Sequence, residues 1–138
     1  MTKRSADVDE RSLTQRELDV MAVLWERGEG TVAEVRDAID PDLAYTTVST
    51  MVRLLELKGF VGHRRGQGKT HVYFPVIDAE RAGRTALGRI LDKIYGGNPL
   101  RLLAHLVEER RISPRELSRM RALLGKAASR KTRKRRSV

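Results

Sequence analysis

The chain has 138 residues, of which 40% are hydrophobic, 33% charged and 4% aromatic. This length suffices for one compact domain, or one small domain with an appendage, because such a chain buries roughly 68% of its extended surface on folding. The sequence contains no cysteine, which excludes disulfides, thiol catalysis and cysteine-ligated metal centres. No apolar run approaches the ~18 residues of a membrane span, and the charged start of the chain lacks the apolar stretch of a signal peptide. We therefore expect a cytoplasmic protein that does not engage a membrane.

The positive charge is unevenly distributed along the chain. Residues 1–42 carry 6 Lys/Arg against 11 Asp/Glu, residues 43–75 carry 5 against 1, and residues 76–125 carry 10 against 6. A basic middle behind an acidic front indicates a face that meets a polyanion, although a solvated surface is the plainer alternative. We expect residues 1–12 to form a disordered arm and residues 126–138 a disordered basic tail with nonspecific phosphate affinity. The candidate phosphate contacts of the tail are Arg130, Lys131, Arg133, Lys134, Arg135 and Arg136.

Two capping boxes predict the first two helices. Thr14 precedes Glu17 by three residues, and Thr31 precedes Glu34 in the same way, a pattern in which the two side chains serve each other's backbone amides. Gly28 is expected to end the first helix, and Pro41 the second. The predicted core faces are Leu18, Met21, Ala22 and Trp25 in the first helix and Val35, Ala38 and Ile39 in the second.

The third predicted helix, residues 43–58 with Gly59 behind it, has two distinct faces. One is an apolar stripe at helical spacing, and the other carries hydroxyls and one arginine but no acid. Short hydroxyls with an arginine suit a helix laid against phosphates and base edges. Arg53 could bind guanine or a phosphate, and Tyr45 could pack at the helix start or reach the DNA backbone. The apolar stripe is Val48, Met51, Val52 and Leu55, and the candidate DNA contacts are Tyr45, Thr46, Thr47, Ser49, Thr50 and Arg53.

The periodicity changes to two between Phe60 and Val76, which predicts two strands joined by a turn at residues 66–68. Val72, Phe74 and Val76 are expected to face the core. Three helices followed by a hairpin with a basic tip predict a winged-helix domain over residues 13–76, whose second and third helices form the helix-turn-helix. The candidate DNA contacts of the wing are Arg64, Arg65 and Lys69.

Residues 77–125 are expected to be helical again, in three short segments that end near Gly96, near residue 108 and at Gly125. Their apolar stripes are too narrow to bury one another, so we expect them to pair with a second copy of the chain. Packing back onto the winged helix is the alternative. The candidate dimer interface is Leu87, Ile90, Leu91, Ile94, Leu103, Leu106, Leu117, Met120 and Leu124.

Catalytic patterns are absent from the sequence. His63, His71 and His105 show no metal-ligand spacing, and on the strands His63 and His71 are expected to make surface polar contacts. Residues 66–68 lie in the wrong context for a phosphate-binding loop. No serine, threonine or carboxylate has a partner that would make it a nucleophile or a general base. We therefore expect a protein that is not an enzyme and uses no metal or cofactor.

Three segments of the predicted winged helix are distinctive: LAYTTV at residues 43–48, LLELKG at 54–59 and YFP at 73–75. They resemble the DNA-binding part of the penicillinase-repressor family of bacterial winged-helix repressors, which includes the methicillin-resistance and copper-responsive repressors. Residues 93–97, 103–108 and 112–117 resemble the dimerisation helices of that family. The resemblance implies a homodimer on a two-fold operator. The chain lacks the cysteine motif of the copper-responsive branch, and His105-Leu106 stands where cleaved members of the family have Asn-Phe.

The sequence thus predicts a mainly α protein with a small hairpin, a winged helix followed by a helical dimerisation region. We expect a homodimeric repressor that binds double-stranded DNA at an inverted-repeat operator and occludes a promoter. A weakly specific architectural DNA-binding protein is the alternative, and a winged helix used for protein contacts alone is a third. An inducing partner, such as a sensor protease, stays open.

Overall fold

The computed structural model describes residues 12–136, with side chains as far as Arg130. The predicted N-terminal arm, apart from Ser12, lies outside the described residues. The described part forms two compact units, of which the first ends at Gly88 and the second begins at Arg89. The elements are α1 (Gln15–Arg27), α2 (Val32–Ile39), α3 (Tyr45–Leu57), β1 (Val61–Arg65), β2 (His71–Pro75), α4 (Ala79–Lys93), α5 (Pro99–Glu108) and α6 (Pro114–Arg136).

The first unit is a three-helix core closed by a β-hairpin, as the sequence predicts. β1 and β2 pair antiparallel, with Val61 opposite Pro75 and His63 opposite Tyr73. Burying apolar area of this kind is the main favourable term in folding, at roughly 25 cal/mol per Å². The core consists of Val20, Met21, Leu24, Val32, Val35, Val48, Val52, Leu55, Phe60, Val61 and Tyr73.

Local capping fixes the starts of α1 and α2, and this prediction is confirmed. Thr14 Oγ1 accepts a hydrogen bond from the Glu17 amide at 3.1 Å, while Glu17 Oε1 accepts one from the Thr14 amide at 2.9 Å. Thr31 and Glu34 repeat the arrangement at the start of α2. Gly28 ends α1 at φ 88°, a left-handed conformation that glycine adopts at little cost.

The buried face of α1 differs from the prediction. Leu18 is 43% exposed and Ala22 is exposed, whereas Val20 and Leu24 are fully buried. The buried stripe keeps the expected spacing but begins at Glu17. The pattern of apolar residues does not reveal this stripe, because its first member is the charged Glu17. Apolar periodicity does not predict a buried ion pair.

Glu17 is buried because it has a full set of partners. Its side chain is 3% exposed, and Lys58 Nζ donates to its two carboxylate oxygens at 2.8 and 2.9 Å. The same ammonium group donates to the Ser12 carbonyl at 3.1 Å. Burial alone would raise the pKa of Glu17, but the hydrogen bonds from Lys58 and Thr14 outweigh it and lower that pKa. The pair fastens the start of α1 to the residue that follows α3.

The facing of β2 also differs from the prediction. Tyr73 is buried, whereas Val76 is 60% exposed and Phe74 is half-buried on the opposite face. The reason is a contact distant in sequence: Gly30 and Tyr73 exchange backbone hydrogen bonds of 2.9 and 2.8 Å. This bridge ties β2 to the α1–α2 connection and leaves Tyr73, rather than its neighbours, over the helices. Phe74 instead lies over Gly62, where an added Cβ would meet the ring at 3.0 Å.

The first unit extends beyond the predicted boundary at residue 76. Trp25 Nε1 donates to the Ile77 carbonyl at 2.9 Å, and Ile77 and Ala82 pack against the core. The start of α4 therefore belongs to the winged-helix unit, and the division falls within α4. None of the described helices is long and apolar enough to cross a membrane.

The last helix corrects two predictions. The sequence predicts a stop at Gly125 and a disordered tail from residue 126, but α6 continues to Arg136. Gly96 and Gly97, with φ of 57° and 75°, follow α4 as expected, whereas Gly125 lies within a helix. A mid-helix glycine costs only about 1 kcal/mol. The alanine, lysine and arginine residues that follow are strong helix formers, so the penalty does not end the helix.

Candidate nucleic-acid interface

Helix α3 presents a polar face to solvent because its other face is locked into the core. Val48, Val52 and Leu55 are fully buried, which fixes the rotation of the helix about its own axis. The residue before the helix, Ala44, makes no side-chain capping hydrogen bond. The backbone amides of the first turn of α3 therefore receive no hydrogen bond from the side chain of Ala44. The polar face comprises Tyr45, Thr46, Thr47, Thr50 and Arg53, all exposed, and Ser49, which is half-buried.

A groove of about 530 Å³ separates α3 from the hairpin. The α3 wall of the groove carries four side chains at helical spacing, Tyr45, Ser49, Arg53 and Glu56. The turn of the hairpin contributes Lys69 and Thr70. The groove divides the predicted contacts of α3 in two. Its wall includes Ser49 and Arg53, whereas Thr46, Thr47 and Thr50 are exposed outside it. The complete lining is Val32, Tyr45, Ser49, Arg53, Glu56, His63, Lys69, Thr70, His71 and Tyr73.

The predicted wing contacts occupy different surroundings. Arg64 donates to Glu29 of the α1–α2 connection at 2.5 Å, and both side chains are about half exposed. Arg65 is exposed on β1 opposite His71 in the strand register. Lys69 is exposed and lines the groove. The three cations therefore do not form one uniform patch, because one of them is already engaged by a carboxylate.

Two histidines line the groove, and sequence reasoning did not connect them. The rings of His63 and His71 stack with centroids 4.5 Å apart and planes inclined at 22°. His63 Nδ1 lies 2.6 Å from Glu56 Oε2. Strand alternation on both sides of the turn could have placed the two histidines on one face, but only once the register was known.

Tyr73 forms the floor of this cluster. Its ring lies 5.7 Å from that of His63 and 6.4 Å from that of His71, measured between centroids. Burial raises the pKa of Tyr73, and the nearby Glu56 carboxylate raises it further. The phenol therefore stays neutral at physiological pH. Among the described residues, no group of three or more His, Cys, Asp or Glu is arranged to hold a metal ion.

The helices of the second unit expose apolar side chains. No described residue from Arg89 to Arg130 is buried, and Ile94 and Leu124 are 66% and 70% exposed. Of the predicted interface, Leu87, Ile90 and Leu106 are exposed too, while Leu91, Leu103, Leu117 and Met120 are half-buried.

The basic residues of the predicted tail lie on the last turns of α6. Arg130 is exposed and is the last residue whose side chain is described. The helical backbone also carries Lys131, Arg133, Lys134, Arg135 and Arg136.

Three helices with a hairpin, and an exposed polar face on the third helix, define a winged-helix domain. The model of the penicillinase repressor family matches residues 13–126, and the chain belongs to that family. The match includes the winged helix and all of the predicted dimerisation region, residues 77–125. Family membership supports a DNA-binding repressor.

Several solved structures are similar to this chain. The solution structure of the DNA-binding domain of the repressor BlaI is 29% identical, and the similarity covers 51% of this chain and 87% of that one with a TM-score of 0.45. HlyU from Vibrio cholerae N16961 is 22% identical over 66% of this chain and 97% of its own, with a TM-score of 0.47. YusO from Bacillus subtilis is 14% identical over 90% and 80%, with a TM-score of 0.49. No curated protein sequence gave a significant match.

Proposed function

We propose that this protein is a homodimeric transcriptional repressor that binds an inverted-repeat operator and occludes a promoter. The observation that carries the proposal is the exposed polar face of α3, held in place by a fully buried apolar face in a member of a repressor family. A helix fixed in this way enters the major groove without first being ordered, so little entropy is lost on binding.

The reading residues in this proposal are Thr46, Thr47, Thr50 and Arg53. The first three are exposed in the N-terminal half of α3, the part of a recognition helix that approaches base edges. Threonine offers a hydroxyl to any base and a methyl group to thymine, and arginine makes bidentate contacts to guanine. Arg53 lies two turns after Thr46 and less than one turn after Thr50. It lines the groove, so it can reach either a guanine or a phosphate.

The gripping residues are those of the hairpin and of the basic end of α6. Lys69 and Arg65 are exposed, and an exposed cation contacts phosphates without reading sequence. Residues 126–138 carry seven Lys/Arg and add the same kind of contact. Tyr45, at the start of α3 and 51% exposed, has its hydroxyl available for the DNA backbone.

The exposed apolar faces of α4, α5 and α6 support dimerisation. Burying a leucine or isoleucine side chain gains about 1.5–3 kcal/mol, and none of these helices buries one within the described chain. A two-fold dimer would place one α3 per subunit on DNA. The operator would then be an inverted repeat with half-sites roughly 10 bp apart, or a multiple of that spacing.

An inducing factor would have to reverse DNA binding. A sensor protease that cuts within the dimerisation region is the partner that the family resemblance implies. In this chain the corresponding bond, His105-Leu106, lies inside α5, and His105 Nδ1 lies 2.8 Å from the Tyr95 hydroxyl. Proteolysis there would require α5 to open locally, because proteases cut extended backbone.

Selection of bound fragments from the source genome, followed by footprinting, tests the proposal. We expect protected sites with dyad symmetry that overlap promoters. On such a site, Thr50→Ala and Arg53→Ala should each weaken binding by about 1–3 kcal/mol if the residue contacts a base, with little effect on a scrambled duplex. A parallel loss on both duplexes would favour the architectural alternative. Failure to bind any DNA would favour a winged helix used for protein contacts.

A further inference from the structure

We propose that His63, His71 and Glu56 make the groove between α3 and the hairpin a proton-regulated binding site for a DNA backbone phosphate. The inference deepens the proposed function and rests on it. It concerns how tightly the protein grips DNA as pH changes, whatever the sequence bound.

The groove is large enough to admit a phosphate group and is lined by polar side chains. Its volume is about 530 Å³, and it opens between the exposed face of α3 and the turn of the hairpin. Arg53 and Lys69 supply cationic donors on opposite walls, while Ser49 and Thr70 supply hydroxyls. Charge-assisted hydrogen bonds of this kind are the usual contacts to phosphate oxygens.

The groove also contains a group that opposes phosphate binding. The Glu56 carboxylate reduces the formal charge of Arg53 and Lys69 together from +2 to +1 while both histidines are neutral. The buried phenol of Tyr73, which lines the groove beside the histidines, stays neutral. Tyr45 is a second phenol that lines the groove. Arg65, opposite His71 in the strand register, is a further cation on the same face of the hairpin as the two histidines. At alkaline pH the site is therefore only weakly attractive to an anion.

Proton uptake by either histidine makes the groove more positive. His63 lies 2.6 Å from Glu56, so a proton on its imidazole forms an ion pair and cancels the carboxylate charge. His71, stacked on His63 at 4.5 Å, is exposed and can present a protonated ring to the ligand. Histidine is the side chain that changes charge between pH 5 and 8, and an approaching phosphate favours the protonated form. Either proton raises the groove charge by one.

The size of the effect follows from counterion release. One further charge in contact with a phosphate steepens the dependence of log K on log salt by about 0.9. At about 0.15 M salt this corresponds to roughly five-fold tighter binding for one such charge. Because two like charges in stacked rings repel each other, we expect one proton to account for most of the change.

The test measures binding of the full chain to a labelled 24-bp duplex of random sequence by fluorescence anisotropy. Affinities are compared at pH 6.0 and 8.0 and at two salt concentrations. We expect about five-fold tighter binding at pH 6.0, with a steeper salt dependence. His63→Gln/His71→Gln should abolish this difference, whereas His105→Gln, which alters the third histidine of the chain, should retain it.

A second variant guards against damage to the fold. Glu56→Gln removes the opposing charge at every pH, so we expect it to bind about five-fold more tightly than the wild type at pH 8.0. A misfolded variant would not gain affinity. If the wild type binds equally well at both pH values, or if the double histidine variant keeps the pH dependence, the phosphate site is wrong and the proposed function stands. If the duplex is bound at neither pH, the proposed function fails as well.

Discussion

The two units of this protein differ in how far they bury their apolar side chains. The first unit encloses its own core: every buried hydrophobic residue among the described ones lies between Val20 and Tyr73. The second unit has helices of similar amphipathic pattern but buries no described residue from Arg89 onward. The first unit therefore contains its own core, whereas the apolar faces of the second unit are exposed in the described chain. This difference supports the proposed division between DNA contact and dimerisation.

Placing a charge in the second unit should have the largest effect. Leu103→Asp on α5 would bury a carboxylate in the proposed dimer contact, which costs several kcal/mol when the charge is unpaired. We expect a monomer at micromolar concentration by light scattering, with the circular dichroism of the first unit retained. Leu57→Asp is the matched control, because Leu57 is 84% exposed at the end of α3. A monomeric wild type that still binds its operator tightly would overturn the dimer proposal.

Removing the basic end of the second unit should reduce affinity without changing specificity. Residues 126–138 carry seven Lys/Arg and no acid, and each phosphate that is no longer neutralised by a cation weakens binding about five-fold at ~0.15 M salt. We expect a chain ending at Gly125 to bind operator and scrambled duplexes more weakly by similar factors, with a shallower salt dependence. Loss of operator preference alone would instead assign a reading role to these residues.

The first unit should lose stability when its buried ion pair is altered. Glu17→Gln keeps the shape but removes the charge that faces Lys58, and we expect a loss of about 1–3 kcal/mol at pH 7. The pKa of Glu17 is lowered in the folded state, so its contribution is complete above the unfolded pKa. It disappears as pH falls through the folded value. Urea unfolding from pH 7 to pH 3 should therefore show the two proteins converging in acid.

A difference that persists unchanged at pH 3 would mean that the shape of the side chain, and not its charge, stabilises this site. Glu34→Gln is the control. Its pKa is also lowered, mainly by the Thr31 amide, but its side chain is about half exposed. We expect a smaller loss there, because solvent screens an exposed carboxylate.

The helices and strands of both units were predictable from local signals. Which face of an element is buried depends instead on contacts between residues that are distant in sequence. The capping boxes at Thr14 and Thr31 place helix starts correctly because both partners lie within one turn. The predicted buried face of α1 was wrong because Lys58 compensates Glu17 from 41 positions away. The predicted facing of β2 was wrong because Gly30 pairs with Tyr73.

The candidate site shows the same limit. The polar face of α3 could be predicted from its own spacing, but the cluster of His63, His71 and Glu56 could not. It requires the hairpin register and the packing of the hairpin beside α3, neither of which is encoded in a short motif. The predicted helix end at Gly125 was wrong for another reason. A penalty of about 1 kcal/mol is too small to end a helix when the neighbouring residues are strong helix formers.

The smallest effect should come from an arginine whose charge the first unit already satisfies. Arg64 is paired with Glu29, so the two side chains together add no net charge to the wing, whereas Lys69 lines the groove and is exposed there. We expect Lys69→Ala to weaken binding to a random duplex about five-fold at ~0.15 M salt. We expect Arg64→Ala to weaken it less, because an arginine held by Glu29 has no phosphate contact to lose. Glu29→Gln should free Arg64 and tighten binding by a few-fold. Anisotropy titrations of the three variants at two salt concentrations separate these cases. An Arg64→Ala loss as large as that of Lys69→Ala would show that DNA displaces Glu29, and that the surface of the first unit is less self-contained than its core.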